Sequence, residues 1–144
     1  MKPEPCPYGG PEGGMPVEGE VINELGLRRA GADALATTSA PVLDWVANKG
    51  ITQLAIHFDV DVLDPRKFGP VLFNEPGAPA DARAEVPRGR MAPGQVVRLL
   101  QEVAAACDVV GLAIAEYLPW EAITTRKLLR QLPLLADEDG PDPK

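Results

Sequence analysis

The side chains that could do chemistry are concentrated in one run, His57-Phe58-Asp59-Val60-Asp61-Val62-Leu63-Asp64-Pro65. In extended backbone, side chains two residues apart point to the same face, so His57, Asp59 and Asp61 would present an imidazole and two carboxylates together. Two adjacent acids are costly to bury unless a cation neutralises them, and carboxylate oxygens suit Mg²⁺ or Mn²⁺. This spacing predicts a divalent metal site with Asp59 and Asp61 as ligands.

The other polar residues of the run either support that site or have a purely structural role. We interpret His57 as a hydrogen-bonding group behind the ligands or as an ordinary interior histidine, rather than as a ligand itself. Asp64-Pro65 is a common turn signal, and a single Asp after a strand often caps a turn or the next helix. The metal interpretation therefore depends on Asp59 and Asp61 occurring as a pair.

A third acid, Glu116, follows a second apolar run at residues 109–115. If both runs are adjacent parallel strands, Glu116 lies at the same carboxyl edge as Asp59 and Asp61, where ligands bind in such sheets. A carboxylate there could accept a bidentate hydrogen bond from a guanidinium group. It could equally be an acid near the first turn of the helix that Pro119 opens, where the helix dipole favours negative charge.

The elements that must position these acids alternate along the chain. The predicted order is a helix from Pro41 to Gly50, a strand over residues 54–58, a helix opened by Pro93, a strand over 109–115 and a helix opened by Pro119. The last helix would carry an apolar face of Ile123, Leu128, Leu129 and Leu132. Because the apolar runs hardly alternate, we expect parallel strands covered on both faces, which is α/β architecture. Two strands make a thin sheet, so the chain would belong to a wider sheet or pair with a second copy.

Proline and glycine divide the chain into three parts. Residues 1–19 hold five of each and are expected to form an irregular arm. Residues 20–136 form the α/β region, with an irregular loop over 65–93 and a weakly indicated strand near 25–30. Residues 137–144 are expected to be a frayed acidic tail.

The composition limits the class of partner. The chain has 144 residues and a formal net charge of −7, which argues against nucleic-acid and anionic-membrane binding. Its longest apolar run is seven residues, far below the roughly 20 that cross a bilayer, and its first residues lack the apolar core of a signal peptide. Cys6 and Cys107 have no metal or redox spacing and are expected to be free thiols. We therefore expect a cytoplasmic protein that acts on a small molecule.

Three parts of the sequence together resemble the arginase/agmatinase (ureohydrolase) family, over about residues 40–135. Residues 58–65, Phe-Asp-Val-Asp-Val-Leu-Asp-Pro, look like the family's second metal-binding motif. Residues 116–119, Glu-Tyr-Leu-Pro, are similar to its late Glu-x-x-Pro element. Met91-Ala92-Pro93-Gly94, ahead of an amphipathic helix, matches the family's layout between those elements.

The resemblance implies a three-layer α/β/α fold with a parallel sheet and a cluster of two Mn²⁺ ions. By position, Asp59 would bridge both metals and Asp61 would ligate one. Asp64 would brace the turn, and Glu116 would lie beneath the guanidino group of a small-molecule substrate. The implied reaction is metal-assisted hydrolysis of a guanidino C–N bond with release of urea.

The chain also departs from the family in its metal ligands. The family's Asp-His step and Asp-Ala-His-x-Asp run, which supply the other ligands, do not occur here. His57 is the only histidine and stands where the family usually has Ser, and the loop over 68–90 is longer than the family's Gly-rich connection. We therefore expect the C-terminal part of such a domain, with an incomplete ligand set and no catalytic residue assigned. A complementing chain or a homo-oligomer would have to complete it.

Two other interpretations stay open. The chain could be a catalytically inactive relic or an interaction module that keeps the fold. It could also be a haloacid-dehalogenase-type phosphatase, with Asp59 as the phosphoryl-accepting nucleophile and Mg²⁺ as cofactor. That motif normally opens the chain and needs a later acidic pair after another strand, and neither condition holds here.

Overall fold

Two parallel strands form the centre of the computed structural model, which describes residues 16–79 and 88–136. Strand β1 is Gln53–Asp59 and strand β2 is Asp108–Ala115. The helices are α1 Pro16–Glu24, α2 Ala32–Leu35, α3 Ala40–Lys49, α4 Pro93–Ala106 and α5 Ala122–Leu129. The described residues also form short 3₁₀ turns at Val60–Val62, Leu72–Asn74 and Pro119–Glu121. The predicted α/β alternation and parallel pairing are confirmed.

Helix α4 connects the two strands and caps its own first turn. Pro93 is its first residue, and the Gln95 side chain accepts a hydrogen bond from the Ala92 N–H at 2.7 Å. The Gln95 amide donates to the Ala36 carbonyl at 3.0 Å, and the Arg98 guanidinium donates to the same carbonyl at 3.1 Å. Because Ala36 ends the short helix α2, these bonds satisfy a carbonyl that a helix end leaves free, and they hold α2 against α4.

The core lies between one face of the sheet and the helices. The strands pair so that Ile56 is beside Leu112 and Phe58 is beside Ile114, and all four side chains pack in this core. Its buried members are Leu35, Phe58, Val60, Leu63, Phe68, Val71, Met91, Val96, Val97, Leu100, Leu128 and Leu132. A second, smaller cluster packs α3 against α4 and contains Val46, Val103 and Cys107.

The opposite face of the sheet is bare in the described part of the chain. Ala55, His57 and Ala113, which alternate away from the core, are exposed. A register shift after Leu54 leaves Val110 without a partner in β1, and this side chain is 55% exposed. The expectation that both faces of the strands are covered is therefore wrong for these residues. The described residues therefore form two of the three layers of an α/β/α fold, namely the sheet and the helical layer on one of its faces.

Three smaller expectations are corrected by the structure. Residues 16–19 are helical rather than irregular, since Pro16 occupies the first position of α1, where proline is tolerated. Residues 25–30 form a turn and irregular backbone instead of a strand. Ile123 is 73% exposed, because it lies five residues before the buried Leu128, about 140° around the helix axis.

The long loop after β1 packs against the core. Phe68 and Val71 are buried, with 1% and 0% of their surface exposed. Asn74 donates from Nδ2 to the Pro65 carbonyl at 2.7 Å, which closes the loop on itself. The expectation of irregular backbone is therefore correct only in part, because this segment contains the turn Leu72–Asn74 and buries two large apolar side chains.

Some sequence predictions fall outside the described residues. They concern the arm over 1–15, the thiol of Cys6 and the tail over 137–144. Cys107 is described and is a buried free thiol. Among the described residues, no helix combines the length and the apolar character that crossing a membrane requires.

Candidate functional site

Three acids meet at the carboxyl edge of the two strands. Asp59 is the last residue of β1 and pairs with Ala115, the last residue of β2, so Glu116 follows directly at the same edge. Asp61 lies just beyond β1, in the 3₁₀ turn Val60–Val62. Partial burial, then the charge on Asp59, then the charge on Glu116 raise the pKa of the Asp61 carboxyl above its ordinary value. The three acids that the sequence singles out therefore form one electrostatic cluster.

Asp59 and Asp61 are also linked by a hydrogen bond. The Asp61 N–H donates to Asp59 Oδ1 at 2.8 Å, so Asp59 caps the 3₁₀ turn that carries Asp61. The extended backbone ends at Asp59, and the turn, rather than strand alternation, places the side chain of Asp61. Asp59 thus combines the capping role expected of a single Asp with its pairing to a second acid.

One oxygen of Asp61 lacks a hydrogen-bond partner. Asp61 Oδ1 is buried and accepts no hydrogen bond from the described residues. Burying an ionised oxygen without a partner costs free energy, and a bound cation would remove this penalty. Carboxylate oxygens therefore fit a hard divalent ion such as Mn²⁺. Asp59 and Asp61 alone, however, are too few ligands for a complete metal site. No three His, Cys, Asp or Glu side chains in the described part of the chain are grouped to hold a metal ion.

His57 lies on the bare face of the sheet, two residues before Asp59. Its side chain is exposed, and its neighbour across the strand pair is Ala113. The interpretation of His57 as an interior histidine is therefore wrong, because no described residue covers this face. That His57 forms a hydrogen bond that supports Asp59 and Asp61 stays a prediction.

Asp64 closes the turn that follows the acids. Its carboxylate accepts hydrogen bonds from Arg66 Nε at 2.9 Å, from Arg66 Nη2 at 2.7 Å and from the Arg66 backbone N–H at 3.0 Å. These hydrogen bonds, and then the charges of Arg66 and Lys67, lower the pKa of Asp64 from 3.8 to about 2. Both carboxylate oxygens of Asp64 are therefore engaged within its own turn.

Glu116 has a strained backbone. Its φ of 59° lies in the left-handed region, which residues other than glycine adopt rarely, at a cost of about 1–2 kcal/mol. Strain of this kind persists only where the surrounding structure imposes it, and it is frequent at functional sites. Here it occurs at the point where β2 ends and an exposed carboxylate comes near Asp61.

Comparison with solved structures identifies the fold. The chain is similar to the arginase of Helicobacter pylori, with a TM-score of 0.59 and 17% sequence identity, over 79% of this chain and 37% of that chain. It is similar also to the arginase of Entamoeba histolytica in complex with L-ornithine, with a TM-score of 0.58 and 20% identity, over 81% of this chain and 38% of that chain. The chain has an arginase-like fold.

The arginase-like fold is present in part. The chain spans less than two fifths of the length of either arginase, in agreement with the expectation of a partial domain. No family model and no curated protein matches the sequence. The resemblance seen in the motifs is therefore confirmed for the fold, whereas the metal and the reaction are matters for a proposal.

Two contacts that shape the candidate site were not predicted by the sequence analysis. Trp120 Nε1 donates to the Gly69 carbonyl at 3.1 Å, which ties the segment after β2 to the loop after β1. A half-buried indole usually finds such an acceptor, so Trp120 offered a weak signal. Met91 is buried and pairs through its main chain with Val62 and Asp64. No local pattern predicts that long-range pairing.

Replacing Asp64 with asparagine is expected to lower stability at neutral pH and to flatten the response to acid. Because the folded pKa of Asp64 lies below its ordinary value, the ionised carboxylate stabilises the fold above about pH 4, and this contribution is lost as the pH falls through about 2. Thermal unfolding followed from about pH 7 to about pH 2 measures the effect. Asp44→Asn, on the exposed side of α3, is the control. Identical slopes below about pH 4 in Asp64→Asn and the natural sequence would contradict this role.

Replacing Glu116 with glycine is expected to raise the free energy of unfolding by about 0.5–1 kcal/mol. Glycine adopts a φ of 59° without strain, and the relief exceeds the extra backbone entropy that glycine loses on folding. Ala115→Gly, one residue earlier within β2, should instead destabilise the protein. Urea denaturation compares the two, and a loss of stability in both variants would show that Glu116 is unstrained in solution.

Proposed function

We propose that this chain provides the C-terminal part of a manganese-dependent ureohydrolase site, which hydrolyses a C–N bond of a guanidino-type small molecule. The observation that carries the proposal is the meeting of Asp59, Asp61 and Glu116 at one sheet edge, with one Asp61 oxygen buried and unpaired among the described residues. The arginase-like fold supports it. The remaining metal ligands would come from polypeptide outside the described residues.

The three acids have distinct parts in this proposal. Asp59 and Asp61 would hold the metal through their carboxylate oxygens, and the cation would offset the partial burial and the repulsion that raise the pKa of Asp61. When bound, Mn²⁺ supplies Lewis acidity and lowers the pKa of water toward neutrality. Glu116 would accept hydrogen bonds from the guanidinium of the substrate and orient its central carbon toward the metal side of the cleft. The overall reaction consumes water and yields urea and an amine.

Manganese binding tests the ligand assignment. Mn²⁺ titration of the chain, followed by electron paramagnetic resonance, should reveal binding weaker than micromolar, because two carboxylates supply only part of a ligand set. Asp59→Asn should remove that binding. Asp108→Asn is the matched control, since Asp108 is an exposed acid at the opposite end of β2. Undetectable binding at millimolar Mn²⁺, or equal binding by Asp59→Asn and Asp108→Asn, would contradict the assignment.

Urea release tests the reaction and the incompleteness of the site together. The chain alone, supplied with Mn²⁺ and a panel of guanidino compounds, should release no urea. Adding a polypeptide that supplies the missing His and Asp ligands should start release, and Glu116→Gln should reduce it through weaker substrate binding. Micromolar Mn²⁺ binding with turnover by the chain alone would overturn the claim of an incomplete site.

A non-catalytic role is the second candidate. It is favoured by the bare sheet face around His57 and Ala113 and by the lack of a three-ligand group among the described residues. In that case the chain would be an inactive relic or an interaction module, and a complementing chain or a second copy would cover the face. Asp59→Ala would then leave any cellular role unchanged, although it removes the carboxylate that caps the turn Val60–Val62. The phosphatase alternative gains no support from the fold comparison, and we do not propose it.

We further propose a cytoplasmic location. Cys107 is a buried thiol without a disulfide. Disulfides persist mainly in oxidising compartments, so a reduced thiol is typical of a cytosolic protein. Fluorescence microscopy of the tagged chain tests this, and export to an oxidising compartment would contradict it.

A further inference from the structure

The turn that carries Asp61 is held from outside by a distant segment. The Met91 N–H donates to the Val62 carbonyl at 3.1 Å, and the Met91 carbonyl accepts from the Asp64 N–H at 2.9 Å. Leu63 and Met91 thereby form an isolated parallel bridge beyond the end of β1. The backbone on both sides of Leu63 is therefore fixed by residue 91, nearly thirty positions later in the sequence.

Gly89 brings the same segment into contact with Asp61 itself. A Cβ on Gly89 would overlap the Asp61 carbonyl oxygen and the backbone of Val62. The obstacle is main chain, which cannot rotate aside as a side chain can. The φ of Gly89 is outside the left-handed region, so glycine is needed here for space and not for its conformational freedom.

The 3₁₀ turn Val60–Val62 has few hydrogen bonds of its own. It is a single 3₁₀ turn, closed by the Leu63 N–H donating to the Val60 carbonyl at 3.0 Å and by the capping bond from the Asp61 N–H to Asp59. Short 3₁₀ segments have poor hydrogen-bond geometry and are stabilised mainly by their surroundings. The main chain of Gly89 and Met91 provides part of these surroundings, because it lies against the backbone of Asp61, Val62 and Asp64.

We propose that Gly89 is a positioning residue for Asp61, and that the close approach of its backbone, together with the Met91 bridge, sets the direction of the Asp61 carboxylate. This inference rests on the proposed function for the part Asp61 plays, namely metal ligation. Mutation of groups that contact a metal ligand and orient it, without contacting the metal, typically lowers metal affinity by about 10- to 100-fold. A Cβ at residue 89 would displace the Asp61 backbone and with it the ligand.

Gly89→Ala and Gly94→Ala form a matched pair of variants. A Cβ on Gly94 would meet nothing within 4 Å, and Gly94 lies in the first turn of α4, five residues after Gly89. Two readouts report on Asp61: hydrogen exchange of its amide, which is bonded to Asp59, and broadening of the Asp59 and Asp61 resonances by Mn²⁺. A third readout, thermal unfolding, reports on the fold as a whole.

We expect Gly89→Ala to speed exchange of the Asp61 amide and to weaken Mn²⁺ broadening by about 10-fold or more, beyond what its change in melting temperature explains. Gly94→Ala should leave both readouts unchanged. Equal Asp61 exchange in the two variants would overturn the positioning role. The absence of Mn²⁺ broadening in the natural sequence would count against the proposed function, while amide exchange would still decide whether Gly89 positions Asp61.

A measurement on the natural sequence covers the case in which Gly89→Ala does not fold. If the segment holds the turn, the amides of Asp61, Asp64 and Met91 should open together and exchange with one common free energy of opening. Exchange of the Asp61 amide independently of the Met91 amide would overturn the proposal.

Discussion

Replacing Phe68 with alanine is expected to lower the free energy of unfolding by about 3–5 kcal/mol. Phe68 is 1% exposed and belongs to the same buried cluster as Leu63 and Leu132, both fully buried. The change removes the transfer free energy of the ring and leaves a cavity that a close-packed core fills only in part. A small domain is stable by only about 5–15 kcal/mol, so this loss brings the protein close to unfolding.

Ile123→Ala is the matched control for that prediction. Ile123 is also a large apolar residue but is 73% exposed, so its truncation should change stability by less than about 0.5 kcal/mol. Urea denaturation followed by circular dichroism measures both variants. Equally large losses would mean that the face of α5 on which Ile123 lies is covered in solution. Equally small losses would mean that the loop around Phe68 contributes little to the core.

Replacing Asp61 with asparagine is expected to weaken Mn²⁺ binding by at least about 10-fold and to stabilise the free protein at neutral pH. The stabilisation follows from the raised pKa of Asp61, which burial and the charges of Asp59 and Glu116 produce. A carboxyl whose folded pKa exceeds its unfolded pKa contributes stability at low pH, and this contribution is lost as the pH rises through the folded pKa. A neutral amide does not suffer that loss.

The two effects of Asp61→Asn should appear together and in opposite directions. The gain in stability should be at most about 1 kcal/mol, since Asp61 is only partly buried and solvent screens its neighbours. Calorimetric unfolding near neutral pH measures the gain, and Mn²⁺ titration measures the loss. Asp108→Asn should show no loss of Mn²⁺ binding. A variant that loses stability and keeps its affinity for Mn²⁺ would show that Asp61 has a structural role.

Asp61 and Asp64 should respond to acid in opposite ways, although they are three residues apart. Asp64 gains hydrogen bonds from Arg66 only as a carboxylate, so acid weakens its turn. Asp61 is partly buried and lies near two other acids, so protonation removes a poorly solvated charge and relieves repulsion there. The acid cluster thus costs stability at neutral pH, and a bound cation would offset this cost.

The location of the acids could be predicted because it follows from chain order. Asp59 and Glu116 each come directly after an apolar strand, and adjacent parallel strands end at the same edge. The placement of Asp61 could not be predicted in the same way. Strand alternation was expected to continue to residue 61, whereas the hydrogen bond from the Asp61 N–H to Asp59 ends the strand and begins a turn.

Burial was predictable only where periodicity and packing agree. Leu128 and Leu132 follow helical spacing and are buried, but Ile123 lies off that face and is exposed. The bare face with His57 and Val110 was not predicted, because an apolar run is equally compatible with cover on both sides or on one.

The sequence by itself determined the alternation of helices and strands, the acids at the strand ends and the resemblance to arginases. These depend on neighbouring residues and on the fixed periods of helix and strand, which act locally. Only the tertiary structure decided that Gly89 abuts Asp61, that Met91 bridges the turn and that the described residues leave one sheet face uncovered. Such contacts join residues far apart in the chain, and they follow from how whole elements pack rather than from any short stretch of sequence.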